Sequence, residues 1–463
     1  MEHPTTSQAC SGGVSWTSCL PLAGVLLSLL LCMPASGAIY YVARSGNDAN
    51  PGTKAKPWRS IGKAARTLSA GDTVYIRAGV YRERVVPKNS GKPGQYITYA
   101  AYPGEQVTIN GSGIALPLWT GLFYVADLEY IRVSGLRVIN SKRVGILADS
   151  SSDIVIENNR TYNTVQSGIA VWGCYDVVIH GNEVQLACND GEGECITVYD
   201  TDLFEVRFNH VHHSGPGTNG GEGICIKDGS SNGKVYGNQV DHIRKRVGIY
   251  VDAQGQHTFN IDVFANNVHD CDRNGLALAS EMGGLLENIR VYNNIAYRNT
   301  CLGLLLANYG GESVTTHPMK DITIVNNTFY QNGKRWGGGI AIDSPAVQNV
   351  IVRNNVVSQN LNFQIVVDPA VPSGECSVDH NLIDGYREYE AEIYGADYVE
   401  GDPLFLRPAR GDFHLLEGSP AIDQGSPLEA PAEDYEGALR PWGEGYDIGA
   451  FEYGSRRPIT GTR

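Results

Sequence analysis

A motif of the form V-x-x-N-x-V recurs through the middle of this sequence and limits the possible folds more than any other feature. It reads VVIHGNEV, FEVRFNHV, GKVYGNQV, IDVFANNV, IRVYNNIA, ITIVNNTF and VIVRNNVV, with asparagines at Asn159, Asn182, Asn209, Asn238, Asn266, Asn294, Asn327, Asn355 and Asn381. Successive asparagines are 23 to 33 residues apart. That is the period of a repeat architecture, whose units bury their apolar faces only against their neighbours. Each period holds a second segment, usually opened by glycine: SGIAVW, ECITVY, EGICIK, VGIYVD, NGLALA, LGLLLA, GGIAID. Apolar residues alternate there, as in a strand with one buried face. Ile169/Val171, Ile196/Val198, Ile224/Ile226, Ile249/Val251, Leu276/Leu278 and Ile340/Ile342 are therefore expected to point inward and stack. The asparagines are expected at left-handed turns, hydrogen-bonded into an internal ladder.

Helical heptads are absent, and a propeller would need blades of four strands. The pattern predicts an all-β chain: a right-handed parallel β-helix of about ten coils over residues 126–385. Residues 39–125 form an N-terminal cap and first coils, with a short helix between Trp58 and Leu68 that places Ile61, Ala64, Ala65 and Leu68 on one face. Residues 386–463, rich in Gly and Pro and without the repeat, form an irregular C-terminal cap. Residues 1–38 read as a signal peptide, with an apolar run from Leu20 to Leu31 and a small-residue cleavage site Ser36-Gly37-Ala38. This leader lacks Lys and Arg, and an N-terminal anchor is the competing reading. The mature chain has no segment that would span a membrane, and secretion to the extracellular space or periplasm is expected.

The net charge of −14 excludes broad binding to nucleic acid or anionic membranes. Seven cysteines follow residue 38: Cys174, Cys188, Cys195, Cys225, Cys271, Cys301 and Cys376. They show no zinc-site spacing. The odd count leaves at least one thiol free; export would permit disulfides, with Cys271–Cys301 on adjoining coils one candidate, and buried packing of free thiols is the alternative. A monomer is expected.

The head of the chain (YYVARSGNDANPGT through AGDTVYIRAGVYRERV) and its tail (DPLF, GDFHL, SPAIDQG, YDIGAFEY) resemble those of bacterial secreted right-handed β-helix proteins of the pectate-lyase-like superfamily. That group includes pectate-lyase-like, alginate and chondroitin lyases and β-helix glycosidases. The resemblance implies fold and general class, since such caps are shared across functions.

Stacked coils turn equivalent positions into columns with steps of about 4.8 Å. The outward column of the second strand reads Trp172, Tyr199, Lys227, Asp252, Ala279. Asp200, Asp228, Ser280 and Glu281 lie beside it, and Thr197, Cys225, Tyr250 and Ala277 two residues before it. Crowded like charges need a cation, a lysine or a shared proton to relieve them. Lys227, Asp228, Asp252 and Glu281 are therefore the candidate catalytic residues. Trp172, Tyr199 and Tyr250, with Glu222, Arg246, His257 and Arg273 nearby, are candidates for binding a polysaccharide. The first mechanism expected is β-elimination in a uronic-acid-containing glycan, with Lys227 as base and Ca²⁺ on Asp200, Asp228 and Asp252. EGICIK is similar to the lysine strand of calcium-dependent β-helix lyases, although their Asp-Asp-x-x-Asp motif is missing. The alternatives are a glycoside hydrolase using an Asp252/Glu281 pair and a non-catalytic glycan-binding or adhesin β-helix. His212, His242 and His269 read as turn histidines on the surface, with a metal site as the alternative.

Overall fold

A computed structural model describes residues 37–189, 192–217, 219–307, 309 and 316–455. The chain divides after Ala35, and the fold below is that of the unit Ser36–Arg463. Nearly all of the expected leader lies outside the described residues. Among those residues, no helix is long and apolar enough to cross a membrane.

The chain is a parallel β-helix with three sheets. Among the described residues two sheets have thirteen strands and the third has ten, each ordered coil upon coil. The V-x-x-N-x-V repeat supplies the first two sheets. In one coil Asp202–Arg207 lies in the first sheet and His210–His212 in the second. The glycine-opened segments form the third, as in Ile196–Tyr199, Ile224–Lys227 and Ile249–Asp252. Register is unshifted along this stretch, with Ile196 opposite Ile224 and Ile224 opposite Ile249. All of the Ile, Leu and Val pairs expected to face inward are buried. A Cβ at Gly248 would come 2.7 Å from the carbonyl oxygen of Gly275 on the next coil. Glycine therefore recurs at this position because the corner is too tight for a side chain there.

The asparagine ladder runs from Asn159 to Asn381. Each Nδ2 donates to the next Oδ1 at 2.9–3.1 Å, so a buried amide is satisfied at every step. The left-handed backbone sits one residue earlier than expected, at Asn158, Phe208, Ala265 and Asn293, while the ladder residues have ordinary φ. The reason is the division of labour at the corner: one residue turns the chain and the next points inward to hydrogen-bond.

The N-terminal helix spans Ile61–Thr67, capped by Ser60, whose side chain accepts from the Lys63 amide. Ile61, Ala64, Ala65 and Leu68 are buried against the first coils, as their spacing predicts. At the other end Ile393 and Tyr394 pack on the helix core. The chain then turns back along the outer face of the second sheet, where Phe405, Phe413, Ile448 and Phe451 cover Ile295, Tyr297, Val356 and Leu382. All seven cysteines are free, so the Cys271–Cys301 bridge is not formed. The Cys271 thiol is directed inward, toward Gly248.

Candidate active site

The outward face of the third sheet carries the charged groups. Strand pairing aligns Asp149, Trp172, Tyr199, Lys227, Asp252 and Ala279 in one column. A second column, two residues earlier, runs through Thr197, Cys225, Tyr250 and Ala277. Both face out because the Ile and Val between them face in.

At the centre, Lys227 Nζ lies 2.7 Å from Glu194 Oε1, and Thr197 Oγ1 donates to Glu194 Oε2 at 2.7 Å. Glu194 is 4% exposed. Burial alone would lower the Lys227 pKa, but the facing charge of Glu194 outweighs it and holds the ammonium well above the ordinary lysine value. Lys227 is a fixed cation here. Glu222 takes the position equivalent to Glu194 one coil on. Burial, then the charge of Glu194, pushes it up to about 7, while Arg246, 3.8 Å away, pulls it down.

On the next coil Asp252 is 2% exposed. Burial and then the nearby Glu281 raise it to about 7. Its Oδ1 accepts from the amides of Gln254 (2.8 Å) and Glu281 (3.3 Å). Tyr250 Oη donates to Glu281 Oε1 at 2.5 Å. The depression therefore holds one fixed ammonium together with two carboxyl groups, Glu222 and Asp252, that burial makes weaker acids than usual. Buried acids poised in this way are suited to moving protons. Toward the N-terminal coils it continues over Tyr199 and Trp172, with Glu194, Asn219 and Lys227 lining both parts. Trp119 is exposed and meets Trp172 edge-on at 6.2 Å.

Glu222, Lys227, Arg246, Tyr250, Asp252 and Glu281 thus share one depression, and Trp172, Tyr199 and Asp200 line its extension. Three other expected residues lie outside. Asp228 occupies a left-handed turn beside Tyr199, and its Oδ1 accepts from the Gly255 amide at 3.2 Å. His257 stands 3.1 Å from Glu287 and stacks on Phe259 of the first sheet. Arg273 lies beside Cys301 in a neighbouring hollow.

The Ca²⁺ site expected on Asp200, Asp228 and Asp252 is not assembled. Asp200 and Asp228 are equivalent left-handed turn residues (φ 45° and 51°) just past their strands, whereas Asp252 is the last residue of its strand and does not share their position. Among the described residues, the one group of three His, Cys, Asp or Glu donors close enough to share an ion lies elsewhere, at His213, Asp241 and His242. Ca²⁺ takes six to eight converging oxygens, and these carboxylates do not fit it. Two residues of the site escaped sequence reasoning. Glu194 was legible, since E-C-I and E-G-I place Glu194 and Glu222 at one coil position; Trp119 precedes the repeat and carries no such signal.

A family model described as the Pel9A-like right-handed β-helix region matches residues 40–189, and one described as the right-handed β-helix region matches residues 189–402. Together the two matches make the chain a right-handed β-helix protein, Pel9A-like over residues 40–189. It is similar to the uncharacterized protein YwoF of Bacillus subtilis (29% identity over 86% of this chain and 97% of that one). It is also similar to pectate lyase L of Dickeya dadantii (23% identity, 89% and 90%) and, over 33% of this chain and 44% of the relative, to pectate lyase PEL9 of Emericella nidulans (29%). Among solved structures, pectate lyase Pel9A matches with a TM-score of 0.55 at 18% identity, covering 90% of this chain and 97% of its own. XylC in complex with xylose matches at 0.54 and 15%, covering 90% and 99%. These neighbours share the fold of this chain.

Proposed function

We propose that the chain is a secreted polysaccharide-degrading enzyme that cleaves a uronic-acid-containing glycan by β-elimination in this groove. The observation that carries the reading is that Lys227, a cation paired with Glu194 at 2.7 Å, lines one depression with Glu222 and Asp252, two acids raised to about 7. Elimination needs three things at once: a base for the C5 proton, positive charge facing the uronate carboxylate, and an acid for the departing oxygen. Asp252, in its ionised form, takes the C5 proton. The C–H electron pair becomes the C4–C5 double bond as the C4–O bond breaks, and Glu222, in its protonated form, supplies the proton to the leaving oxygen. Lys227 and Arg246 offset the charge that develops on the carboxylate. This gives Lys227 an electrostatic role in place of the base role expected for it, because an amine held protonated by Glu194 does not accept a proton. Trp119, Trp172 and Tyr199 supply flat apolar faces for neighbouring sugar rings. The sequence relatives named as pectate lyases agree with this reading.

Hydrolysis is the second reading, favoured by the abundance of carboxylates over cations in the depression. Glu222 would then act as general acid, with Asp252 or Glu281 as its partner. A panel of uronate and neutral polysaccharides, followed for new ultraviolet absorbance and for new reducing ends, separates the two. Elimination gives both signals on uronate polymers; hydrolysis gives reducing ends alone. Binding without either signal would make the protein a glycan-binding module.

A further inference from the structure

Histidines gather on the outer face of the second sheet, away from the groove. Of the eleven in the chain, five fall on three consecutive coils: His210, His212, His213, His242 and His269. His212 and His269 are strand residues, aligned in one outward column with Asp241 between them. His213 and His242 follow that column at left-handed turns, φ 49° and 53°. The C-terminal segment that covers this face further along ends at the edge of the patch, where Tyr297, packed on Phe413, also stacks on His269.

Within the patch one carboxylate and two imidazoles converge. The rings of His213 and His242 lie face to face, with centroids 4.5 Å apart and planes 7° from parallel. Asp241 is 5% exposed, and its Oδ1 is 2.6 Å from His242 Nδ1. A donor atom from each of His213, Asp241 and His242 lies within 4.8 Å of the other two. The second oxygen of Asp241 is held by His210 Nε2 at 2.8 Å. A carboxylate so anchored from behind has the outer-shell support of a metal ligand. His213 and His242 are exposed, which leaves the remaining coordination positions to water.

We propose that His213, Asp241 and His242 form a binding site for a divalent transition-metal ion of the zinc type, tying two consecutive coils together. Two imidazole nitrogens and one carboxylate oxygen suit Zn²⁺, Ni²⁺ or Cu²⁺. The same set excludes Ca²⁺, which requires more oxygen ligands. Small rotations of two exposed rings bring the donors to bonding distance, since the β-helix fixes the backbone spacing between coils. The site is independent of the groove, and a bound ion would act on the fold by stabilising the native state.

The test uses the full, untagged chain, stripped with a chelator and titrated with Zn²⁺ and, separately, Ca²⁺ by calorimetry, with metal content and Tm measured after desalting. The expected result is one Zn²⁺ retained per chain, a Tm raised by Zn²⁺, and no such effect of Ca²⁺. The comparison variant is His213→Asn/His242→Asn, because asparagine tolerates the left-handed backbone at both turns. It should keep the metal-free Tm and lose Zn²⁺ affinity by on the order of 100-fold. Failure to retain Zn²⁺, or Zn²⁺ binding of equal strength in the double variant, would overturn the proposal. In the second case the ion would be held by scattered surface histidines.

Discussion

Glu194 and Lys227 form an ion pair across adjacent coils, 2.7 Å apart, with the carboxylate 4% exposed and the lysine half-buried. Breaking such a pair from one side leaves an uncompensated charge and costs about 3–5 kcal/mol, whereas replacing both members is far milder. Lys227→Met should therefore destabilise the protein strongly, and Glu194→Gln/Lys227→Met should recover most of the loss in a denaturant titration. Neither variant should turn over substrate, because the cation is missing in both. Recovery of activity along with stability would show that Lys227 serves the fold alone.

Asp252 links stability to pH. Its folded pKa of about 7 lies above the ordinary value of 3.8, so the native state favours the protonated form. The stability this contributes is complete below about pH 4 and is lost as pH rises through 7, on the order of 4 kcal/mol. Glu222, raised from 4.5 to about 7, acts in the same direction. Asp252→Asn keeps an oxygen to accept from the Gln254 and Glu281 amides but carries no charge. Its unfolding curve should coincide with the parent's near pH 4, and the variant should be the more stable of the two at pH 8. Parallel curves across that range would remove the basis for calling Asp252 poised.

Chelation gives a third check. Asp200, Asp228 and Asp252 do not converge on a common ion, so EDTA should leave the rate on a polysaccharide substrate within about twofold of the untreated enzyme. Loss of activity restored by added Ca²⁺ would mean that substrate or ion binding rebuilds the site.

Most of the fold was legible because every coil repeats the same local requirements. Alternation exposed the inward Ile and Val pairs, and the asparagine spacing gave the ladder. A second, shorter ladder, Asn299–Asn332–Asn360, was overlooked although each member follows a primary-ladder residue by five positions. The columns of the third sheet were also legible, since register is fixed once the inward residues are known. What sequence could not supply was the direction of residues just past a strand. A one-residue change from strand to left-handed turn sends Asp228 aside while Asp252 stays in the groove. The interior loop segments that carry His257 and Arg273 obey no repeat, and both residues point elsewhere.

The ladder itself should be costly to interrupt. Asn266 donates to Asn294 Oδ1 and the Val235 carbonyl, and it accepts from the amide and side chain of Asn238, all at 2.9–3.0 Å. Asn266→Ala would strand several buried polar groups, with a loss of about 3–5 kcal/mol. The exposed Asn260, in a similar chain of side-chain amides on the surface, should cost less than about 1 kcal/mol on replacement by glycine, which accepts its left-handed backbone. Chemical denaturation of the two variants side by side measures the difference.

The central claim is that proton transfer by Asp252 in this groove drives elimination. The most direct measurement is the rate of appearance of unsaturated product from a uronate polysaccharide, for the parent chain and for Asp252→Asn at equal folded concentration near pH 7. Steady growth of ultraviolet absorbance in the parent and a drop of at least about 10²-fold in the variant are predicted. Equal rates in the two proteins, or cleavage that yields reducing ends without absorbance, would contradict it.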